Sequence, residues 1–119
     1  MDLTALDLAS CTSLRCLQPL ASLPRLEHLS LAGCAAVCDL SPLSHTTTLL
    51  NLNCDHCTGI TSVAPLHACT RPRWLSLRDC SSITDVSALA ACQLELVDLR
   101  YCWEVSDRTP LAHCHNVYE

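Results

Sequence analysis

The sequence predicts an α/β solenoid, with short parallel strands on an inner face and short 3₁₀ or helical turns on an outer face. Three observations carry that expectation. Cysteine recurs at Cys11, Cys34, Cys57, Cys80 and Cys102, in steps of 23, 23, 23 and 22 residues. An apolar frame recurs in register with it. Within each frame an LxL segment alternates with the period of two that a strand with one buried face requires. Repeats of this length bury their apolar faces only against their neighbours, so a stack of them forms a solenoid.

The units follow in order. Residues 3–25 supply Leu3, Leu6, Leu8, Cys11, Leu14, Leu17 and Leu20; residues 26–48 supply Leu26, Leu29, Leu31, Cys34, Val37, Leu40 and Leu43. The third unit, 49–71, supplies Leu49, Leu52, Cys54, Cys57, Ile60, Val63 and Leu66. The fourth, 72–93, supplies Pro72, Leu75, Leu77, Cys80, Ile83, Val86 and Leu89. The fifth, 94–116, supplies Leu94, Val97, Leu99, Cys102, Val105, Arg108 and Leu111, and Val117 begins a sixth that is not expected to form. Each strand should be about three to five residues long. Pro19, Pro42, Pro65 and Pro110 share one column with Ala88. Ser41 and Thr109, each just before a proline, read as helix N-caps with the proline at the first helical position. Arg108 stands in an apolar column, where an unpaired guanidinium would be costly. It should open outward or pair with Asp107 or Glu104.

The frame LxxLxLxxC, present in five consecutive units, resembles the leucine-rich-repeat family over the full length. Within that family, DLSPL in a short unit resembles the protein-phosphatase-regulator and internalin-like subclass. The cysteine after LxLxx, with a second cysteine after LAx, resembles the cysteine-containing subclass of F-box proteins. The hybrid is similar to repeat proteins of trypanosomatid parasites. The resemblance implies a right-handed leucine-rich-repeat arc that binds another protein. Through the cysteine-containing subclass it also raises substrate recognition within a ubiquitin ligase, which would need an F-box elsewhere in a longer chain.

Composition narrows the classes. The 119 residues suit a single domain, and half of them are hydrophobic, with no phenylalanine. Net charge is -5 and lysine is absent, which disfavours nucleic acid and polybasic membrane attachment. There is no apolar run of membrane-spanning length, no signal-peptide pattern and no glycosylation sequon, so a cytoplasmic protein is expected. No terminal cap is recognisable, which suggests part of a longer protein, or self-association through uncapped ends. No enzyme is expected. The only glycines are Gly33 and Gly59, no GxSxG or HExxH occurs, and His28, His45, His56, His67, His113 and His115 are scattered. No cofactor is expected.

The eleven cysteines fit packing better than a disulfide scaffold. The ladder cysteines occupy the turn after each strand, where a thiol can donate weakly to backbone carbonyls. Cys69, Cys92 and Cys114 form a second column and Cys54 replaces a strand leucine, which leaves only Cys16 and Cys38 outside the columns. The ladder thiols should be reduced and inaccessible. The alternative is a zinc or redox site at the CDHC segment, 54–57, with His56 between the thiols; His113, Cys114 and His115 are a second dense group.

A partner would meet the residues between the strand leucines. In the first two units these are small. In the last three they include Trp74, Arg78, Leu96, Arg100 and Tyr101 beside Asn53, Asp55 and His56. Tryptophan, tyrosine and arginine dominate interface energetics, so these eight are the candidate partner-binding residues. The bland reading is a solvated face on which Trp74 and Leu96 cover each other. Trp103 fits either a buried or an exposed position.

Overall fold

The computed structural model describes residues 3–69 and 71–119; Thr70, in the third unit, lies outside them. Strands β1 (Ala5–Asp7), β2 (His28–Ser30), β3 (Asn51–Asn53), β4 (Trp74–Ser76), β5 (Leu96–Asp98) and β6 (Asn116–Tyr118) form one parallel sheet in sequence order. Leu6, Leu29, Leu52, Leu75, Val97 and Val117 stand side by side across it. Five 3₁₀ turns, Gln18–Ser22, Ser41–Leu43, Ala64–Ala68, Ser87–Ala91 and Thr109–Leu111, line the opposite side. The apolar columns of units two to five fill the space between sheet and turns and are buried, Arg108 excepted. Leu3, Leu6, Leu8 and Leu14 of the first unit are only half-buried, since one flank has no neighbouring unit.

A sixth strand does form, contrary to the expectation for Val117. Asn116 pairs with Leu96, a step of 20 residues against 22 or 23 earlier. The shortening falls between Cys114 and the strand and removes the residue that would match Leu94. The strand therefore pairs without a complete apolar unit behind it.

Four of the five ladder thiols bond to the unit before their own. Cys34, Cys57, Cys80 and Cys102 donate to the carbonyls of Leu8, Leu31, Cys54 and Leu77 at 3.0, 3.0, 2.9 and 2.8 Å. Those carbonyls also accept the backbone N–H of Cys11, Cys34, Cys57 and Cys80, so both lone pairs are used. Cys69 and Cys92 do the same one layer out, donating to Leu43 and Leu66. Cys11 departs from the expected inaccessibility: it is exposed, because no preceding turn lies against it.

The caps also differ from expectation. Residues 18, 41, 64, 87 and 109 are the first residues of their turns, and the true N-cap positions are Leu17, Leu40, Val63, Val86 and Arg108. The apolar side chains there face the core and cannot cap. One residue earlier, Asp39, Ser62, Asp85 and Asp107 accept the N–H of Ser41, Ala64, Ser87 and Thr109 at 2.8–3.1 Å. Cys16 holds Gln18 through sulfur at 3.5 Å, so it has a column after all. Backbone donation from Ser41 and Ser87 lowers the carboxyl pKa of Asp39 and Asp85, and the Thr109 hydroxyl lowers that of Asp107.

Arg108 pairs with neither Asp107 nor Glu104. Asp107 is engaged by Thr109, and the Arg108 guanidinium reaches Glu119 at 3.8 Å and the Cys102 carbonyl at 3.4 Å. Its Nη1 is buried without a hydrogen bond among the described residues.

Candidate interaction surface

The inner face is built from short strands whose alternate side chains turn away from the core. Trp74 and Leu96 are direct cross-strand neighbours. Both are half-buried, so the indole is less open than a solvated column would leave it. The next column is covered progressively along the arc: Asp7 is exposed, Ser30 and Asn53 are half-buried, and Ser76 and Asp98 are buried. The cause is the longer side chains that flank it in the later units.

Those side chains bond to one another. Asn53 accepts the Asp55 N–H at 2.9 Å, and Asp55 accepts both the Ser76 hydroxyl and the Arg78 N–H. The Arg78 guanidinium lies over the Tyr101 ring, 5.3 Å from its centroid. Arg100 forks onto Asp98 through Nε and Nη2, with Nη2 at 2.7 Å, and also covers the Tyr118 ring at 5.5 Å. This pairing is the main reason the Asp98 carboxyl sits below the usual carboxylate range. All eight candidate residues thus lie on the inner face or the edge just beyond it. Arg78, Arg100 and Asp55 are held by neighbours rather than free.

His56 and Tyr101 occupy a column whose backbone turn the alternation does not reveal. Ser10, Gly33, His56, Asp79 and Tyr101 have φ of 64, 76, 60, 60 and 65°, in the left-handed region. Their N–H groups from Ser10 to Asp79 donate to the next unit's carbonyl, and there the chain turns out of the sheet. His56 Nδ1 meets Asp79 Oδ2 at 3.0 Å across adjacent units.

The CDHC segment is split by this turn. Cys54 and Cys57 are buried, and His56 points outward to Asp79. The Cys54 thiol is held well above its ordinary pKa, first by hydrogen bonding with Cys57 and then by burial. No group of three or more His, Cys, Asp or Glu side chains converges as a metal site among the described residues. No helix among them is long and apolar enough to cross a membrane.

No family model matches the sequence, and no curated protein matches it. Among solved structures, the chain is similar to an internalin (inlF) from Listeria monocytogenes str. 4b F2365, with a TM-score of 0.77 and 25% identity over 87% of this chain. Internalins are leucine-rich-repeat proteins. This chain is a leucine-rich-repeat arc. It spans 31% of that internalin's length. Internalin C2 of the same strain aligns over 97% of this chain and 70% of its own, at 20% identity and a TM-score of 0.49.

Of the arc's open aromatic residues, Tyr101 is one of the candidates, and Trp103 and Tyr118 lie where the alternation did not point. Trp103 is 77% exposed, Tyr101 47% and Tyr118 46%. Tyr101 and Trp103 meet edge to face at 5.8 Å and 74°. A signal for Trp103 was present in its column, whose other members, Thr12, Ala35, Thr58 and Ser81, are all exposed. Tyr118 had no signal, because it sits on the strand that was not expected.

Proposed function

We propose that this leucine-rich-repeat arc is a protein–protein interaction module. Its partner docks on the inner face and adjoining edge of units three to six. Trp74, Leu96, Arg78, Arg100 and Tyr101 are central, Asn53, Asp55 and His56 are marginal, and Trp103 and Tyr118 extend the surface. The carrying observation is the cluster of Tyr101, Trp103 and Tyr118 with two arginines laid over the tyrosine rings. Large aromatic side chains already ordered by their neighbours lose little entropy on docking. The role is non-catalytic and the place cytoplasmic. The latter reading is supported by eleven cysteines that are all free thiols.

The test is capture by the immobilised chain and by Trp74→Ala and Trp103→Ala, with thermal melts of each. Trp103 packs outside the core, so its variant should melt like the parent. It should lose a captured protein by about tenfold or more, the effect of an interface anchor. A partner retained by both variants would place the site on the outer face.

A further inference from the structure

A groove of about 550 Å³ crosses the inner face of the first four units. It lies apart from the aromatic cluster and shares only Trp74 and Asn53 with the surface described above. Its floor is the sheet itself at Leu6 and Leu29, whose side chains face the core, and Asp7 on β1 and Trp74 on β4 mark its ends. Three strand spacings separate those ends, about 14 Å, which is the reach of about four extended residues.

The chemistry inside is one-sided. Asp7 is exposed and uses one carboxylate oxygen on the Ala9 N–H, at 2.9 Å. No cationic arginine lines the groove, and the sequence has no lysine, so this charge is uncompensated there. His28 and Asn51 bond to each other at 2.7 Å and form a fixed wall. Across from them, Asn53 spends its carbonyl oxygen on Asp55. Its amide nitrogen and the Ser30 hydroxyl have no partner among the described residues.

We infer that the groove takes an extended peptide segment of a partner, with a lysine or arginine side chain at Asp7 and an apolar side chain against Trp74. The Ser30 hydroxyl and the Asn53 amide then meet the peptide backbone. The net charge of -5 favours the same sign of partner from a distance. The inference deepens the protein-binding reading, and rests on it for the class of ligand.

The test uses Trp103→Phe, which leaves Trp74 as the sole tryptophan. The probes are short capped peptides with lysine at one end, leucine at the other and glycine between, in both orders, and matching peptides with glutamate for lysine. One lysine peptide should change Trp74 fluorescence saturably, with the glutamate form about tenfold weaker or worse. Adding Asp7→Asn, which keeps the oxygen that caps Ala9, should erase that difference without moving the melt. Equal affinities, a difference that survives Asp7→Asn, or no saturable change would each overturn the inference. If it fails while capture remains sensitive to Trp103→Ala, only the groove's occupant is lost. If capture is also insensitive to both tryptophan substitutions, the interaction surface itself falls.

Discussion

At the residue scale, the ladder thiols Cys34, Cys80 and Cys102 act as proton-bearing donors, and burial keeps them so; Cys57 is the exception, its pKa lowered by its hydrogen bond with Cys54. Burial raises the pKa of Cys34, Cys69, Cys80 and Cys102, and lifts Cys92 from 9.0 to about 11. A raised thiol means that the folded state holds protons the unfolded chain has lost. Its stabilisation is therefore complete below the ordinary value and disappears as pH rises through the folded one. The urea midpoint should fall between pH 9.0 and about 11, and less steeply in Cys92→Ala. A thiol reagent should label Cys11, Cys16 and Cys38 in the native state, and Cys34, Cys80 and Cys102 only on unfolding. The left-handed column is the second residue-scale feature. Ser10→Gly should gain about 0.5–1 kcal/mol in urea titration, because relief of left-handed strain outweighs glycine's extra unfolded-state entropy. Gly59 is constrained by space: a Cβ there would meet the Ala35 oxygen at 2.7 Å and that of Val37 at 2.9 Å. Gly59→Ala should thus cost about 1–3 kcal/mol, as overpacking does.

At the element scale, the 3₁₀ turns are too short to hold themselves and depend on the acid or hydroxyl just before their N-cap. The turn Ser87–Ala91 has Asp85 but Ala88 in place of proline. Ala88→Pro should stabilise by about 0.4–1 kcal/mol, since proline suits that column and restricts the unfolded chain. Asp85→Ala should act in the opposite direction, and a denaturation series on the two variants checks both. Asp39, Asp85 and Asp107 have lowered pKa values, so their contribution is present above the ordinary carboxyl pKa and is lost as pH falls through the lower, folded one. In the turn Thr109–Leu111, Arg108 occupies the N-cap, with a long contact to Glu119 and a 3.4 Å bond to the Cys102 carbonyl. Arg108→Leu should raise the urea midpoint, because it removes a buried nitrogen without a hydrogen bond.

At the scale of the molecule, each unit touches only its neighbours, so the cost of a core deletion depends on position in the stack. Leu52→Ala and Leu75→Ala, with neighbours on both sides, should each cost about 2–5 kcal/mol. Leu6→Ala, at a half-buried site of the first unit, should cost clearly less in the same thermal or urea series. Equal losses at the three positions would contradict a core layered unit by unit. The inner face follows the same axis. It is open and small-sided over β1 and β2, then closed by arginine and tyrosine side chains over β4 and β5.

The repeat alone determined the architecture. Periodic leucines and valines at strand spacing can bury themselves in one way, as stacked parallel strands, so β1 to β5, their register and the buried columns of units two to five could be read before any coordinates. The cysteine ladder was legible as packing because its spacing matched the apolar frame. Tertiary structure alone decided what depends on contacts between units. The left-handed turn at His56 and Asp79 is held by the stacked carbonyls of the next unit, and Tyr101 adopts the same turn at the end of the column. Asp39 and Asp85 cap because the true N-cap side chains, Leu40 and Val86, are drawn into the core, and Asp107 caps because the Arg108 guanidinium has no acceptor to offer. Arg108 reaches Glu119 because β6 pairs despite its short connection, which also brings Tyr118 to Arg100. On the candidate surface, residue types could be read in sequence. Which of them are held by neighbours and which stand open depends on side chains that adjacent units bring together, as Arg78 to Tyr101 and Arg100 to Tyr118, and only the fold sets those distances.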